Sequence, residues 1–209
     1  MTPEQIQFLF DSAIRSQFAW RRKAAQLYRV GIRTLQSAAD AKDPAQAIHT
    51  GESRTLTPEE MEAFEEFNLY EVGFFLIALS VENLLKAIWA GKNHARITGI
   101  TGITNIRKEL NGLADHDLAS LARSADVAMS DDENALLDVL RDCIMWSGRY
   151  PTPLRVGEYG QAMTNGAPTN RFIRGNSIYT IELPLPAEVD ALFGKLMDEI
   201  QAIPDEQTY

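Results

Sequence analysis

Residues 67–90 read FNLYEVGFFLIALSVENLLKAIWA, and every position from 72 to 79 is apolar. A helix that is hydrophobic all round is expected to be buried all round. At about 100° per residue, its polar members Asn68, Glu71, Glu82, Asn83 and Lys86 fall within roughly one third of the circumference. The stretch therefore predicts a core helix carrying one polar stripe. That stripe is either an edge reaching solvent or the lining of a site, and any charge it buries has to be paired. The eight-residue apolar run is short of the roughly 20 residues a membrane span needs, so no membrane placement is expected.

Upstream, Thr2-Pro3-Glu4 has the form of a helix start, and Ile6, Phe10, Ala13, Trp20, Ala24, Leu27 and Leu35 continue at helical spacing. A long first helix is predicted to run to about Ala39. Its other side carries Arg15, Arg22 and Arg29 at seven-residue intervals and Arg33 one turn on, a candidate basic face. Residues 1–40 hold six cations against three anions, a net of +3, so the rest of the chain carries −12 of the total −9. Such a stripe suits phosphates, acidic segments of the same chain, or a partner subunit.

Residues 41–56 mix Pro, Gly, Ser and charge without a period and read as a surface loop. Thr57-Pro58-Glu59-Glu60 repeats the capping signal with acids in the first turn. Gly91 is expected to end the central helix, and residues 92–115 read as irregular, with at most one helical turn at 106–110. Asp115 is read as the cap of a short helix, HDLASLARSA, which puts His116 in its first turn. Ser130 to Glu133 form a capping box for a further helix to about Ser147. Pro151 and Pro153 then force extended chain. Residues 155–185 lose the helical period, and two β-rich runs about Gly175-Asn176 predict a small β-hairpin near 170–183. Pro186 opens a last helix with an apolar face of Val189, Leu192, Phe193, Leu196, Met197 and Ile200, followed by a frayed tail.

The fold expected is thus all-α: a single domain over residues 1–209, an up-and-down bundle of about five helices with a hairpin insertion. Its 209 residues, 45 % hydrophobic, suffice for one substantial core. A charge of −9 and a pI near 4.9 argue against wholesale coating of nucleic acid. One cysteine, Cys143, makes no intrachain disulfide and sits on an apolar helix face; with no signal segment apparent, a cytoplasmic location is expected.

No Cys-x-x-Cys, His-Glu-x-x-His or Glu-x-x-His pattern, phosphate-binding glycine loop or Gly-x-Ser-x-Gly occurs. No metal, no cofactor and no catalytic residue is therefore assigned. What remains is a polar set at helix ends and faces: Glu82, Lys86, His116, Asp117, Arg149 and Tyr150. Glu82 and Lys86 are spaced to pair. The planar fork of Arg149 suits a carboxylate such as Glu82 or a ligand phosphate, so a structural clamp and a binding site both stay open.

The segments ALSVENLLKAIWAGKN, DHDLASLA and LLDVLRDCIMWSGRYPTPL, together spanning roughly residues 65–155, resemble the HEPN superfamily of helical domains. That resemblance implies an α-helical bundle, usually homodimeric. It is found in ribonucleases of toxin and defence systems and in non-catalytic RNA- or nucleotide-binding relatives. The ribonuclease members carry Arg followed four to six residues later by His. Here Arg149 is followed by Leu154, Arg155 and Val156, and none of His49, His94 or His116 has an Arg at that distance before it. The resemblance therefore implies a non-catalytic RNA- or nucleotide-binding or regulatory protein of a bacterial defence or toxin–antitoxin type. The alternatives are a metal-independent ribonuclease using Arg149 with a non-standard base such as His116, and a protein–protein scaffold.

Overall fold

The computed structural model of the protein describes residues 2, 5, 12, 16–40, 57–98, 116–144 and 186–204. Among them the fold is all-α: α1 Gln17–Asp40, α2 Pro58–Asn68, α3 Tyr70–Lys92, α4 His94–Thr98, α5 Leu118–Ser124, α6 Asp131–Asp142 and α7 Pro186–Gln201. The expected hairpin at 170–183 and the segment 155–185 lie outside the described residues.

Helix α3 is the hub, with α1 packed antiparallel along it and α5, α6 and α7 also packed against it. The α1–α3 seam is made of small residues rather than large ones. Ala24, Gly31 and Ala38 on α1 and Gly73, Ser80 and Ala87 on α3 each recur at seven residues, and all are buried. A seven-residue repeat keeps a seam in line along two packed helices, and small side chains let the backbones approach. The Ser80 hydroxyl, 0 % exposed, donates to the Ala24 carbonyl at 2.9 Å, so even the polar member of the seam is satisfied. On one flank of this pair α7 is docked by Tyr28, whose ring stacks on Phe193 at 3.7 Å between centroids and whose hydroxyl donates to Asp190.

The start signals act as read. Thr2 and Gln5, Thr57 and Glu60, and Ser130 and Glu133 each exchange side-chain to backbone hydrogen bonds, satisfying N–H groups that the first helical turn leaves open. The last helix buries Val189, Leu192, Leu196 and Ile200 as its period requires.

Several expectations are corrected. The first helix is not continuous: Ser16 leaves helical conformation and its hydroxyl accepts from the Ala19 N–H at 3.2 Å, capping a new start. The long apolar stretch is broken at Leu69, so that α2 and α3 are separate helices. Gly91 does not stop α3, which runs on to Lys92 with Asn93 as its cap; the glycine instead lies against Gln17, where a Cβ would collide with the amide oxygen. Residues 94–98, read as irregular, form α4. The cap of α5 is Asp117, whose carboxylate accepts from the Ser120 N–H at 3.0 Å, so His116 precedes the helix rather than sitting in its first turn. Nor is α3 buried all round: Val72 is 45 % exposed. Finally, the stretch Val72–Lys92, 21 residues of mean hydropathy 1.6, is long and apolar enough to cross a membrane by length and composition, so the length argument against a span fails. Within the protein 72 % of its apolar window is buried, as in the core helix of a bundle.

Two lysines tie the turn between α5 and α6, where Asp126 takes a φ of 51°. Lys92 donates to the Asp126 carbonyl at 2.8 Å, and Lys195 donates to the Ala128 carbonyl at 2.7 Å and to Glu133 at 2.6 Å. That last bond holds the Glu133 carboxyl below its ordinary pKa.

Candidate functional site

Halfway along α3 the polar stripe enters the core. Glu82 is 4 % exposed and Lys86 8 %, and one turn of helix brings their side chains together: Lys86 Nζ donates to Glu82 Oε1. The second carboxylate oxygen lies 3.0 Å from His116 Nδ1. Both oxygens of Glu82 are thus engaged, which is how a buried carboxylate avoids a desolvation cost of several kcal/mol. A carboxylate paired with Lys86 only accepts, so Nδ1 of His116 is the donor to it, and in the neutral tautomer this leaves the lone pair on Nε2. The imidazole, about a third exposed, is the rim of the cluster.

The ammonium of Lys86 also stands 5.4 Å from the ring centroid of Trp20, on α1. A cation over an indole face is stabilised by the ring quadrupole, by about 0.5–2 kcal/mol depending on solvent access. The cluster therefore joins α1, α3 and the entrance to α5, and its charges cancel internally when His116 is neutral.

Of the residues singled out in the sequence, Glu82, Lys86 and His116 are brought together. Asp117 is adjacent and caps α5. Asn83 is turned onto its own helix, donating to the Leu79 carbonyl. Arg149, Tyr150 and Arg15 lie outside the described residues, as do the side chains of Asn68 and Glu71. Arg22, Arg29 and Arg33 are exposed on α1. Measured around α1 from Gly31, all three point away from α3. Cys143, 3 % exposed, is part of the core.

Sequence reasoning missed two participants. The helical spacing places Trp20 among the apolar residues of the first helix, and nothing local marks it as the roof over a lysine on another helix. Arg141 bonds Asp138 and Asp142, each at 3.0 Å. Burial opposes its charge, but the bond to Asp142 and the nearby charges of Asp138 and Asp117 more than offset this and raise its pKa. The i, i+3, i+4 spacing of DVLRD was the available signal. Among the described residues no group of three or more His, Cys, Asp or Glu side chains is placed to hold a metal ion.

Chemically, the arrangement offers an imidazole oriented by a buried carboxylate, with a lysine neutralised behind it. It can hydrogen-bond a ligand through His116. No family model, curated protein or solved structure matches this chain.

Proposed function

We propose that the protein is a HEPN-like, homodimeric helical bundle that binds RNA or a nucleotide without cleaving it, serving as a regulatory component of a bacterial defence or toxin–antitoxin type system in the cytoplasm. The observation that carries this reading is the Glu82–Lys86–His116 cluster. It stands on the central helix and the short-helix entrance, two of the three segments that carry the family resemblance. The absence of catalysis is supported by the way its charges are used. In-line attack by a ribose 2′-hydroxyl needs a base for that hydroxyl and a cation for the charge developing on phosphorus. Lys86 is buried against Glu82 and Trp20, so its charge is answered inside the protein. The Arg-to-His spacing of the ribonuclease members is also missing from the sequence.

One observation favours a second reading, a metal-independent ribonuclease. A carboxylate on Nδ1 is the arrangement that orients an imidazole as a general base, and Glu82 stands so toward His116. Incubation of the pure protein with mixed RNA separates the two. Retention of RNA with its termini unchanged supports the binding reading. Fragments with 2′,3′-cyclic phosphate ends, lost in His116→Ala, establish the ribonuclease. No affinity for RNA or nucleotides, together with a copurifying partner, points to the scaffold.

A further inference from the structure

Gly31 and Gly73 face each other across the α1–α3 seam, a Cβ on either meeting the other's carbonyl oxygen, and in an antiparallel pair residues at matching offsets from such a contact project on the same side. Val30 and Val72 each precede one of these glycines by one residue, so they project on the same side of the pair. They are 54 % and 45 % exposed. Tyr28, two residues before Val30 and hence about 200° around α1, holds α7 on the opposite side. One flank of the central helix pair is therefore covered by α7, while the other presents valines to solvent. Leu69, one turn before Val72, and Met61 on α2 are also exposed, at 38 % and 45 %. Single exposed apolar residues need no explanation, but Val30 and Val72 flank the glycine crossing with Leu69 one turn away, an apolar surface of the kind that marks interaction sites, and Met61 lies further along on α2.

The charge around the patch names its occupant. Lys23 and Arg33 are exposed on α1, about two turns before and one turn after Val30, and Glu62 and Glu65 are exposed on α2 beside Met61. Among the described residues none of these four makes an ion pair. One chain thus carries a basic and an acidic rim about one apolar patch, the composition of an isologous two-fold interface, in which each rim meets its opposite on the second copy.

We propose that this face, centred on Val30 and Val72, is where a second copy of the chain docks, with Lys23 and Arg33 of each copy against Glu62 and Glu65 of the other. The inference rests on the dimeric reading above and adds its surface. The test uses the full chain, its helicity checked by circular dichroism, in three forms: wild type, a basic-rim variant (Lys23→Glu with Arg33→Glu) and an acidic-rim variant (Glu62→Lys with Glu65→Lys). Sedimentation at micromolar concentration is expected to show a wild-type dimer. Each variant alone, with like charges now opposed, dissociates roughly tenfold or more readily. An equimolar mixture of the two variants restores a dimer, because every rim contact between them is again attractive. Val72→Asp weakens all of these associations.

A monomeric wild type overturns both this interface and the dimeric reading. A wild-type dimer that neither variant weakens overturns the interface alone. So does a mixture that fails to reassociate. Loss of single-stranded RNA binding in the basic-rim variant, with its dimer intact, assigns the face to a polyanion and overturns the second copy as occupant.

Discussion

Gly31 and Gly73 face each other across the α1–α3 seam: a Cβ on Gly31 would lie 2.8 Å from Ile77 Cγ1 and 3.0 Å from the Gly73 carbonyl oxygen, and a Cβ on Gly73 would lie 3.2 Å from the Gly31 carbonyl. Backbone on both sides leaves little to give way. Intrinsic propensity favours alanine over glycine inside a helix by about 1 kcal/mol, and at Gly31 the clash exceeds that gain. Gly31→Ala is expected to destabilise by about 1–3 kcal/mol. Gly194→Ala, on α7 with open space around it, is expected to stabilise by about 0.5–1 kcal/mol. Urea melts of the two variants should therefore move in opposite directions, and a stabilised Gly31→Ala would refute the close seam.

The buried pair on α3 makes a second prediction. Glu82→Gln leaves the Lys86 ammonium in the core with a neutral amide, and a loss of about 3–5 kcal/mol is expected. Replacing Lys86 by Met as well removes the stranded charge, and much of the loss should return. A double-mutant cycle from denaturant melts measures this coupling. A coupling energy near zero would show that the two side chains do not depend on each other.

Trp20 gives a third. Trp20→Leu keeps the bulk of an apolar side chain but removes the π-face over Lys86, and a loss of about 1–3 kcal/mol is expected. The loss should be smaller in a Lys86→Met background, where no cation remains. Equal losses in the two backgrounds would mean that Trp20 contributes by packing alone.

The Glu133–Lys195 bond gives the pH dependence. The folded carboxyl titrates below its unfolded value, so its contribution is present above the unfolded pKa and is lost as pH falls through the folded one. Glu133→Gln retains the capping box, because glutamine can serve at that position. It should cost about 0.5 kcal/mol near neutrality, both groups being partly exposed. The difference from wild type should vanish in acid. A gap in melting temperature that is the same at both pH values would assign the effect to the cap.

The local signals were the legible ones. Thr57 with Glu60 and Ser130 with Glu133 lie three residues apart, and their bonds form within one helical turn whatever the rest of the chain does. Helix class and the apolar face of α7 followed from period alone. The α1–α3 seam did not, because Ala24, Gly31 and Ala38 contribute little hydrophobicity, and a reading weighted by apolar bulk favours Trp20 and Leu27, which flank the true contact line. Composition also could not separate a helix covered on every side from one with an open flank, and Val72 lies on that flank. At the site, the Glu82–Lys86 pair was fixed by i, i+4 spacing. Its link to His116 was suggested by family resemblance, and the contact of Lys86 with Trp20 depends on tertiary packing that no local pattern encodes.

The central claim, that the cluster on α3 is a binding site whose rim is His116, is tested most directly by titrating fluorescently labelled single-stranded RNA into wild type and His116→Ala. The account expects saturable binding by the wild type without cleavage. In the variant the affinity should fall by about tenfold, or 1.4 kcal/mol, with the folded state of both proteins checked by circular dichroism. Equal affinities in the two proteins, or no binding by either, would contradict it.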